Sequence, residues 1–373
     1  SLPEKLIVGY ANWNECKYSD RKIVDAVKQG VNVVMWFSIN LATTADGKPT
    51  ITNGPDWDCV ADRIKEISEL GLSTVHIISI GGWNSPHPDT SISAEEAYEY
   101  WDYWNRNIIA RPEKGFFGFH GFDWDIEVGN DDPASQYNTF TPACLDYMGR
   151  FSQLAKERGG YIVSMAPAES YLDPTKSSFD RSLLHNYPEW EPIVPNFNYH
   201  GLNTYAYLLS RYGKSGSLQQ LNTFDFVTIQ LYEGYSHAEY NTTQLRQSPA
   251  DYVAGFVQKV LEGWDVDYTV DTELQYPYVR RIELERTQLV VGLANGWAGD
   301  GKFFLLYPDE AQRAYEALEK LGAAPRGFAF WDILDEGRES PQRPHAPVWM
   351  AAGLNRFLKT RPQSEDTEIN PVL

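Results

Sequence analysis

The chain has 373 residues, of which 42% are hydrophobic and 22% charged, and its formal net charge is −19 at pH 7. This length and composition predict a folded, enzyme-sized protein and exclude intrinsic disorder, which needs low hydrophobicity and dominant charge. The acidic charge argues against nucleic acid or an anionic membrane as a partner, because no basic field attracts phosphates, and the sequence has no apolar run long enough to span a membrane.

Short β-branched runs alternate with longer segments of helical spacing along most of the chain, which is typical of a parallel sheet with crossover helices. Strands are predicted over Lys5–Tyr10, Val31–Ile39, Thr74–Ile80, Gly118–Glu127, Tyr161–Met165, Phe224–Tyr232, Leu289–Leu293 and Gly327–Trp331. Helices are predicted over Ser19–Gln29, Pro55–Leu70, Ala94–Ala110, Cys144–Arg158, Pro249–Leu261 and Pro308–Leu321. The α/β alternation with about eight strands predicts a single (β/α)8 TIM barrel.

The connections between these units differ in length. The fifth crossover, Tyr171–Asn222, is predicted as a long aromatic-rich loop that contains a short helix over Tyr205–Tyr212. A second insertion, Asp265–Thr287, precedes the seventh strand, whereas the connection Trp297–Tyr307 after that strand is short. One catalytic domain is therefore predicted over most of the chain.

That domain is expected over residues 1–360, with a polar C-terminal tail over 361–373. The three cysteines, Cys16, Cys59 and Cys144, are too few and too scattered for a metal cluster or a disulfide framework. One pair could be bridged with one thiol left over, and the spacing does not decide which.

Three acidic residues, Asp123, Asp125 and Glu127, alternate with apolar ones in one predicted strand. Every second side chain of a strand points to the same face, so the three carboxyls are expected to form a row. Crowded carboxylates cannot all ionise easily, so at least one is expected to have a raised pKa and to hold a proton near neutral pH, as a general acid does. Glu127 is the best placed of the three, because active sites of such barrels lie at the carboxyl ends of the strands.

The same alternation could also belong to a solvent-exposed strand or to a metal site. No His at ligand spacing accompanies the row, although spacing alone leaves a carboxylate-only Mg²⁺ site open. We therefore predict neither a metal nor a cofactor.

The row resembles the signature of glycoside hydrolase family 18, the chitinases, which is Asp-Gly-x-Asp-x-Asp-x-Glu and here reads His120-Gly-Phe-Asp-Trp-Asp-Ile-Glu127. A second family feature, Ser-x-Gly-Gly at the end of the third strand, is present as Ser79–Gly82 followed by Trp83. Further matches end the fifth, sixth and eighth strands, at Met165-Ala-Pro, Gln230-Leu-Tyr232 and Trp331. The resemblance spans nearly the whole chain and implies hydrolysis of β-1,4-linked N-acetylglucosamine polymers.

It also implies a role for each site residue. Glu127 would protonate the glycosidic oxygen and then act as base on water, while the substrate's 2-acetamido oxygen is the nucleophile and the configuration is retained. Asp125 would orient the acetamido N–H, and Asp123 would share a proton with Asp125. Tyr232 would bind the acetamido carbonyl, and Trp331 would form the apolar floor beneath the sugar. Weaker substrate-binding candidates are Tyr10, Phe37, Gly82, Trp83, Met165, Gln230 and Glu233.

The chain departs from the family pattern at two residues. His120 replaces the first Asp, and strand parity predicts that it points outward toward the helices and leaves the acid row intact. Glu233 follows Tyr232 where Asp or Asn is usual, which puts a longer acid near the acetamido pocket. Many relatives insert a small α+β domain after the seventh strand, and the short connection here leaves no room for it, so we expect an open groove and internal, endo cleavage.

Three functions stay open at this point. The first is a chitinase, and the second is an endo-β-N-acetylglucosaminidase acting on the core of N-glycans. The third is a weakly active or non-hydrolytic, lectin-like chitin-binding protein of the same fold, against which the presence of Glu127 argues. The expected partner is chitin or an N-acetylglucosamine oligosaccharide, the protein is expected to be a monomer, and secretion is inferred from the substrate.

Overall fold

A computed structural model describes residues 1–12, 16, 21–128, 136–183, 201–234, 236–299 and 303–362. The barrel strands are β1 (Leu6–Ala11), β2 (Val33–Thr43), β3 (Val75–Gly82), β4 (Gly121–Ile126), β5 (Ile162–Met165), β6 (Phe226–Gln230), β7 (Leu289–Ala294) and β8 (Gly327–Trp331). They pair in parallel in chain order, and β1 pairs with both β8 and β2, so the sheet is closed. The predicted (β/α)8 barrel is confirmed.

Helices surround the barrel, and most of them begin where the sequence predicts. They are α1 (Arg21–Gln29), α2 (Trp57–Glu69), α3 (Ala94–Tyr103), α4 (Pro142–Leu154), α5 (Thr204–Tyr212), α6 (His237–Thr243), α7 (Pro249–Glu262), α8 (Pro308–Lys320) and α9 (Met350–Leu358). Several begin with a side-chain cap that accepts from the N–H three residues later, namely Asp56, Ser93, Thr141, Ser236 and Ser248. The short α6 and the last helix α9 were not predicted.

The core has two layers, because alternate side chains of each strand face opposite sides. One layer fills the barrel and contains Leu6, Val8, Tyr10, Val33, Met35, Phe37, Val75, Ile77, Phe226, Val290 and Ala329. The other lies between the strands and the helices. On β4, Phe122 and Trp124 belong to this outer layer, so Asp123 and Asp125 face the barrel interior.

The connections match the predicted pattern of insertions. A hairpin of Trp264–Asp267 and Val279–Ile282 lies in the segment before β7, and Pro49–Asn53 pairs with the end of β2. Only a single helical turn, Gly296–Ala298, is described between β7 and α8. The predicted absence of an inserted α+β domain after β7 is therefore confirmed, while part of the fifth crossover, 184–200, lies outside the described residues.

The contacts of His120 agree with the expected outward orientation, because its ring lies 6.1 Å from that of His76, and His76 alternates with the inward-facing Val75 and Ile77. β4 begins only at Gly121, where a Cβ would come within 1.8 Å of the Ile162 carbonyl oxygen, so His120 precedes the strand. Its side chain is exposed at the amino-terminal end of the barrel, and its Nδ1 accepts a hydrogen bond of 2.9 Å from the backbone N–H of His76. His120 thus lies at the opposite end of β4 from Glu127.

A disulfide and the contacts of the C-terminal residues further tie the chain together. Cys16 and Cys59 form a disulfide, and Cys144 is a buried free thiol. The guanidinium of Arg361 donates to backbone carbonyl oxygens at the amino-terminal end of the barrel. Residues 363–373 of the predicted tail lie outside the described part. Among the described helices, none is long and apolar enough to cross a membrane.

Candidate active site

The three predicted acids lie together at the carboxyl end of the barrel, and all are nearly inaccessible to solvent. Asp123 is fully buried, and Asp125 and Glu127 are only 5% and 6% exposed. Asp123 and Asp125 belong to β4, and Glu127 follows its last residue. A carboxylate that leaves water without compensating charge is costly, so the surroundings of each acid decide its protonation.

Asp123 is the innermost acid and is held on both oxygens. Ser164 Oγ donates to Oδ1 at 2.7 Å, and Tyr10 Oη donates to Oδ2 at 3.3 Å. Burial raises the pKa of Asp123 to about 8, with a further increase from the charge of Asp125, while these two hydrogen bonds oppose the shift. Tyr10 therefore hydrogen-bonds the acid row from inside the barrel, where only 3% of its surface is exposed to solvent.

Asp125 connects the inner acid to the outer one. Gln230 Nε2 donates to its Oδ1 at 2.9 Å, and its carboxyl group is also hydrogen-bonded to that of Glu127. Burial raises the pKa of Asp125 to about 7. Burial also raises the pKa of Glu127 well above its ordinary value, and the charges of Asp125 and Glu233 add to the effect. Glu127 consequently retains a proton at neutral pH, as a general acid requires.

Aromatic side chains line the mouth beside the row. The ring of Trp331 lies 4.7 Å from that of Phe37 and 5.5 Å from that of Tyr10, measured between centroids. Trp297 Nε1 donates to the Trp331 carbonyl oxygen at 2.6 Å, and the rings of Trp297 and Tyr232 meet edge to face. Trp331 and Tyr232 are both partly exposed.

The two glycines after β3 allow close packing at the mouth. Gly82 has a φ of +112°, and a Cβ there would come within 2.2 Å of Phe37 Cζ. At Gly81 a Cβ would come within 2.5 Å of the Asp125 carbonyl oxygen. Gly82 therefore supports the site by permitting contact with Phe37, which is itself only 5% exposed. Trp83, the next residue, is 52% exposed.

The structure places two weaker candidates differently from the prediction. Met165 is fully buried in the outer core layer, because it alternates with the inward-facing Ser164, so its assignment to a sugar subsite is wrong. Gln230 does face the row, but it is 4% exposed and its amide is engaged by Asp125 and by the Ala166 carbonyl oxygen. It orients Asp125 and is covered from solvent.

Glu233 adds a fourth carboxyl to the site. It is half-buried, and its Oε2 is enclosed with no hydrogen-bond partner among the described residues. Burial raises the pKa of Glu233 to about 8, and the charges of Asp125 and Glu169 contribute. Glu169, which is 2% exposed, accepts a hydrogen bond of 2.7 Å from Tyr252 Oη.

These acids make stability depend on pH. The pKa values of Asp123, Asp125 and Glu233 in the folded protein, about 8, 7 and 8, lie above the values of about 4 expected in the unfolded chain. The folded state therefore binds protons more tightly, and this contribution is complete below pH about 4 and is lost as pH rises through 7 to 8. We expect the free energy of unfolding to be lower at pH 8.5 than at pH 5 by several kcal/mol, since one unit of pKa difference corresponds to about 1.4 kcal/mol.

Urea denaturation of Glu233→Gln at the two pH values checks this expectation. The variant lacks one of the buried acids, so its free energy of unfolding should change less with pH than that of the wild type. Glu113→Gln, at an exposed position, is the control and should keep the wild-type dependence. Equal pH dependence in wild type and Glu233→Gln would contradict the assignment of Glu233 as a buried, protonated acid.

Sequence reasoning missed several residues that support the site. Ser164 holds Asp123, and Asn295 Nδ2 donates at 2.7 Å to the carbonyl oxygen of Asp332, directly after Trp331. Parity on β5 could have identified Ser164, since it is the inward residue next to Met165.

In the described part of the chain, no group of three or more His, Cys, Asp or Glu side chains could hold a metal ion.

Solved structures relate this fold to known proteins. Catalytic domain 2 of the Group II chitinase of Ostrinia furnacalis superposes with a TM-score of 0.53 at 12% identity, covering 97% of this chain and 98% of that one. A fungal endo-beta-N-acetylglucosaminidase from glycosyl hydrolase family 18 gives 0.51 at 13% identity, with coverages of 96% and 98%. The Ostrinia furnacalis Group IV chitinase gives 0.51 at 11%, with 95% and 100%.

No protein-family model matches the chain, and neither does any curated protein. The solved structures show that the chain has the fold of the family 18 chitinases. At these identities the likeness concerns the fold alone.

Proposed function

We propose that the protein is a retaining glycoside hydrolase that cleaves β-1,4-linked N-acetylglucosamine polymers, with Glu127 as acid and base. The observation that carries this proposal is the carboxyl row of β4, which ends in a buried Glu127 whose pKa is held well above its ordinary value. A proton retained at neutral pH can be delivered to a glycosidic oxygen at the barrel mouth.

The position of Asp125 favours assistance by the substrate over a carboxylate nucleophile. Retaining enzymes that use two carboxylates hold them roughly 5 to 5.5 Å apart on either side of the scissile bond. Here the carboxyl groups of Asp125 and Glu127 are hydrogen-bonded to each other, so both lie on the same side. The nucleophile that remains is the 2-acetamido oxygen of the bound sugar.

The proposed reaction has two steps. The acetamido oxygen attacks C1 while the C1–O bond to the leaving sugar breaks, and the departing oxygen takes the proton of Glu127. The resulting oxazolinium ion is stabilised by Asp125, which accepts a hydrogen bond from its N–H. Water then attacks C1 as Glu127 takes its proton, the ring opens, and the acetamido group and the original anomeric configuration are restored.

The aromatic residues fit the remaining needs of this substrate. Tyr232 would donate to the acetamido carbonyl, and its burial raises its pKa well above the ordinary value, so it keeps the proton that it donates. Trp331 would pack beneath the C–H face of the sugar ring.

The absence of an inserted domain after β7 supports an open groove and hence endo cleavage of a chain.

We also propose that the protein works outside the cell. The disulfide between Cys16 and Cys59 supports this, because such bonds persist in oxidising compartments and are rare in the cytosol of mesophiles. The proposed substrate, a polymer such as chitin, would also be encountered outside the cell.

Three substrates test the proposal. The N-acetylglucosamine hexamer should be cleaved, mostly at internal bonds, and the first product should be the β-anomer. The glucosamine hexamer, which has no acetamido group, should resist cleavage, because the nucleophile is missing. An N-glycopeptide with an intact chitobiose core should also resist cleavage. Mass spectrometry over time and NMR of the first products give these results.

The outcomes separate the alternative functions. Cleavage confined to the glycopeptide would replace the chitinase proposal with an endo-β-N-acetylglucosaminidase. Equal cleavage of the hexamers with and without acetamido groups would exclude substrate assistance. Binding of the N-acetylglucosamine hexamer without cleavage of any of the three would identify a non-hydrolytic chitin-binding protein.

A further inference from the structure

The ladder between β4 and β5 ends before the strand reaches Glu127. Register pairs Trp124 with Met165, and the last bond runs from the Ala166 N–H to the Trp124 carbonyl oxygen at 2.8 Å. The next residue, Pro167, has no N–H to donate. Ile126 lies two residues beyond Trp124, so its N–H and carbonyl face the same side and have no β5 residue to pair with.

The hydroxyl of Tyr205 binds the backbone groups of Ile126 that a longer β5 would pair with. It accepts a hydrogen bond of 2.9 Å from the Ile126 N–H and donates one of 2.7 Å to the Ile126 carbonyl oxygen. Tyr205 lies on α5 in the fifth crossover and is fully buried. Its ring is stacked on Tyr171 with centroids 5.5 Å apart and meets Phe140 edge to face.

A histidine holds the following peptide group. Nε2 of His87 lies 2.5 Å from the Glu127 carbonyl oxygen, and since a carbonyl can only accept, this nitrogen carries the proton and donates. The His87 ring is stacked on Phe140 and is 8% exposed. Burial lowers its pKa to about 4, so the ring is neutral at neutral pH.

We propose that Tyr205 and His87 are positioning residues of Glu127, an inference that rests on the proposed function. Glu127 stands just beyond the last residue of β4, so the β4–β5 ladder does not reach its backbone. On the β3 side, the Asn84 N–H donates to the Val128 carbonyl oxygen at 3.2 Å. Tyr205 and His87 hold the peptide groups before and after Glu127, and both pack on Phe140. Misplacement of a catalytic group by about 1 Å can cost roughly 10²-fold in rate, so this support sets the direction of the carboxyl.

Tyr205→Phe and His87→Phe remove the hydrogen bonds and keep an aromatic ring at each position. Tyr207→Phe is the matched control for the first, since Tyr207 is also fully buried on α5 but its hydroxyl bonds Asp146 and Arg211. His76→Phe is the control for the second, since His76 is a buried histidine of β3 that accepts from Trp36 at the other end of the barrel.

The measurements are kcat and KM on the N-acetylglucosamine hexamer, the pH profile of kcat, and amide hydrogen exchange over residues 126–128. In both test variants we expect kcat to fall at least about 10-fold with KM within about 2-fold of the wild type. The basic limb of the kcat profile should move to lower pH, because water that reaches a loosened Glu127 weakens the burial that holds its proton. Exchange over 126–128 should be faster.

The controls decide whether the effect is specific. Tyr207→Phe and His76→Phe should leave kcat, the basic limb and exchange over 126–128 unchanged, even if their melting temperatures fall as far as those of the test variants. Losses of equal size in test and control variants would overturn the proposal, as would test variants with unchanged kcat and exchange.

Failure of the proposed function gives a different pattern. If the wild type cleaves none of the substrates, the hydrolase proposal fails, and exchange over 126–128 alone decides the inference. Faster exchange in the test variants than in the controls would still support the role of Tyr205 and His87 in holding this backbone. Exchange rates that match the wild type would overturn it.

Discussion

Glu127→Gln is expected to reduce kcat on the N-acetylglucosamine hexamer by about 10³-fold or more, with little change in affinity. General acid–base catalysis contributes typically about 10² to 10⁴ in rate, and Glu127 would serve both steps, first as acid and then as base. Glutamine has nearly the same shape and can keep a hydrogen bond to Asp125, but it has no acidic proton to give to the leaving oxygen. Product formation followed by mass spectrometry gives kcat, and calorimetry gives the affinity for the hexamer.

A second buried glutamate supplies the control for this experiment. Glu336 is 5% exposed, its carboxylate accepts from the N–H groups of Met350 and Ala351 at the start of α9, and burial raises its pKa to about 7. Glu336→Gln should lower stability and leave kcat within about 2-fold of the wild type, since it changes a buried acid outside the row. If Glu127→Gln kept more than a tenth of wild-type kcat, Glu127 would not be the acid.

The fold and the acid row could be predicted because both follow from local periodicity. The period-2 pattern of Asp123, Asp125 and Glu127 fixes their common face whatever the rest of the chain does. The same period-2 argument, applied to β5, puts Ser164 and Met165 on opposite faces. Met165 was misplaced because it was taken to face the barrel mouth, whereas the inward position on β5 belongs to Ser164.

The support of Glu127 could not be predicted, because its parts come from distant elements. Tyr205 lies 79 residues from Ile126 along the chain, and His87 lies 40 residues from Glu127. In the sequence, Tyr205 is indistinguishable from an ordinary helical tyrosine, and His87 from an ordinary loop histidine. Their role follows only from the early end of the β4–β5 ladder, which leaves backbone groups that must be satisfied in a buried site.

The protonation of the row is another property of the assembled structure. The spacing predicts that one carboxyl keeps a proton, but it does not include Glu233 and Glu169, which come from other strand ends. Their charges act on the same enclosed volume, and Glu233 contributes to the raised pKa of Glu127. Glu233 thus helps to maintain the acid form of Glu127, although it stands outside the family signature.

Asp125→Asn is expected to lower kcat by about 10² to 10³-fold, the range measured when one group that stabilises developing charge is removed. Two effects combine. The oxazolinium ion loses the carboxylate that offsets its positive charge, and Glu127 loses one of the negative charges that raise its pKa. The basic limb of the pH profile should therefore move to lower pH, because Glu127 gives up its proton sooner.

The matched control is Asp173→Asn. Asp173 is fully buried and bonds His237 at 3.0 Å and the Thr175 N–H at 2.8 Å, so its replacement disturbs a buried aspartate outside the row. It should lower stability and leave the basic limb in place. A basic limb that stayed fixed in Asp125→Asn would mean that burial alone sustains the proton on Glu127. Asp125 would then act only on the oxazolinium ion, and the fall in kcat would be the same at every pH.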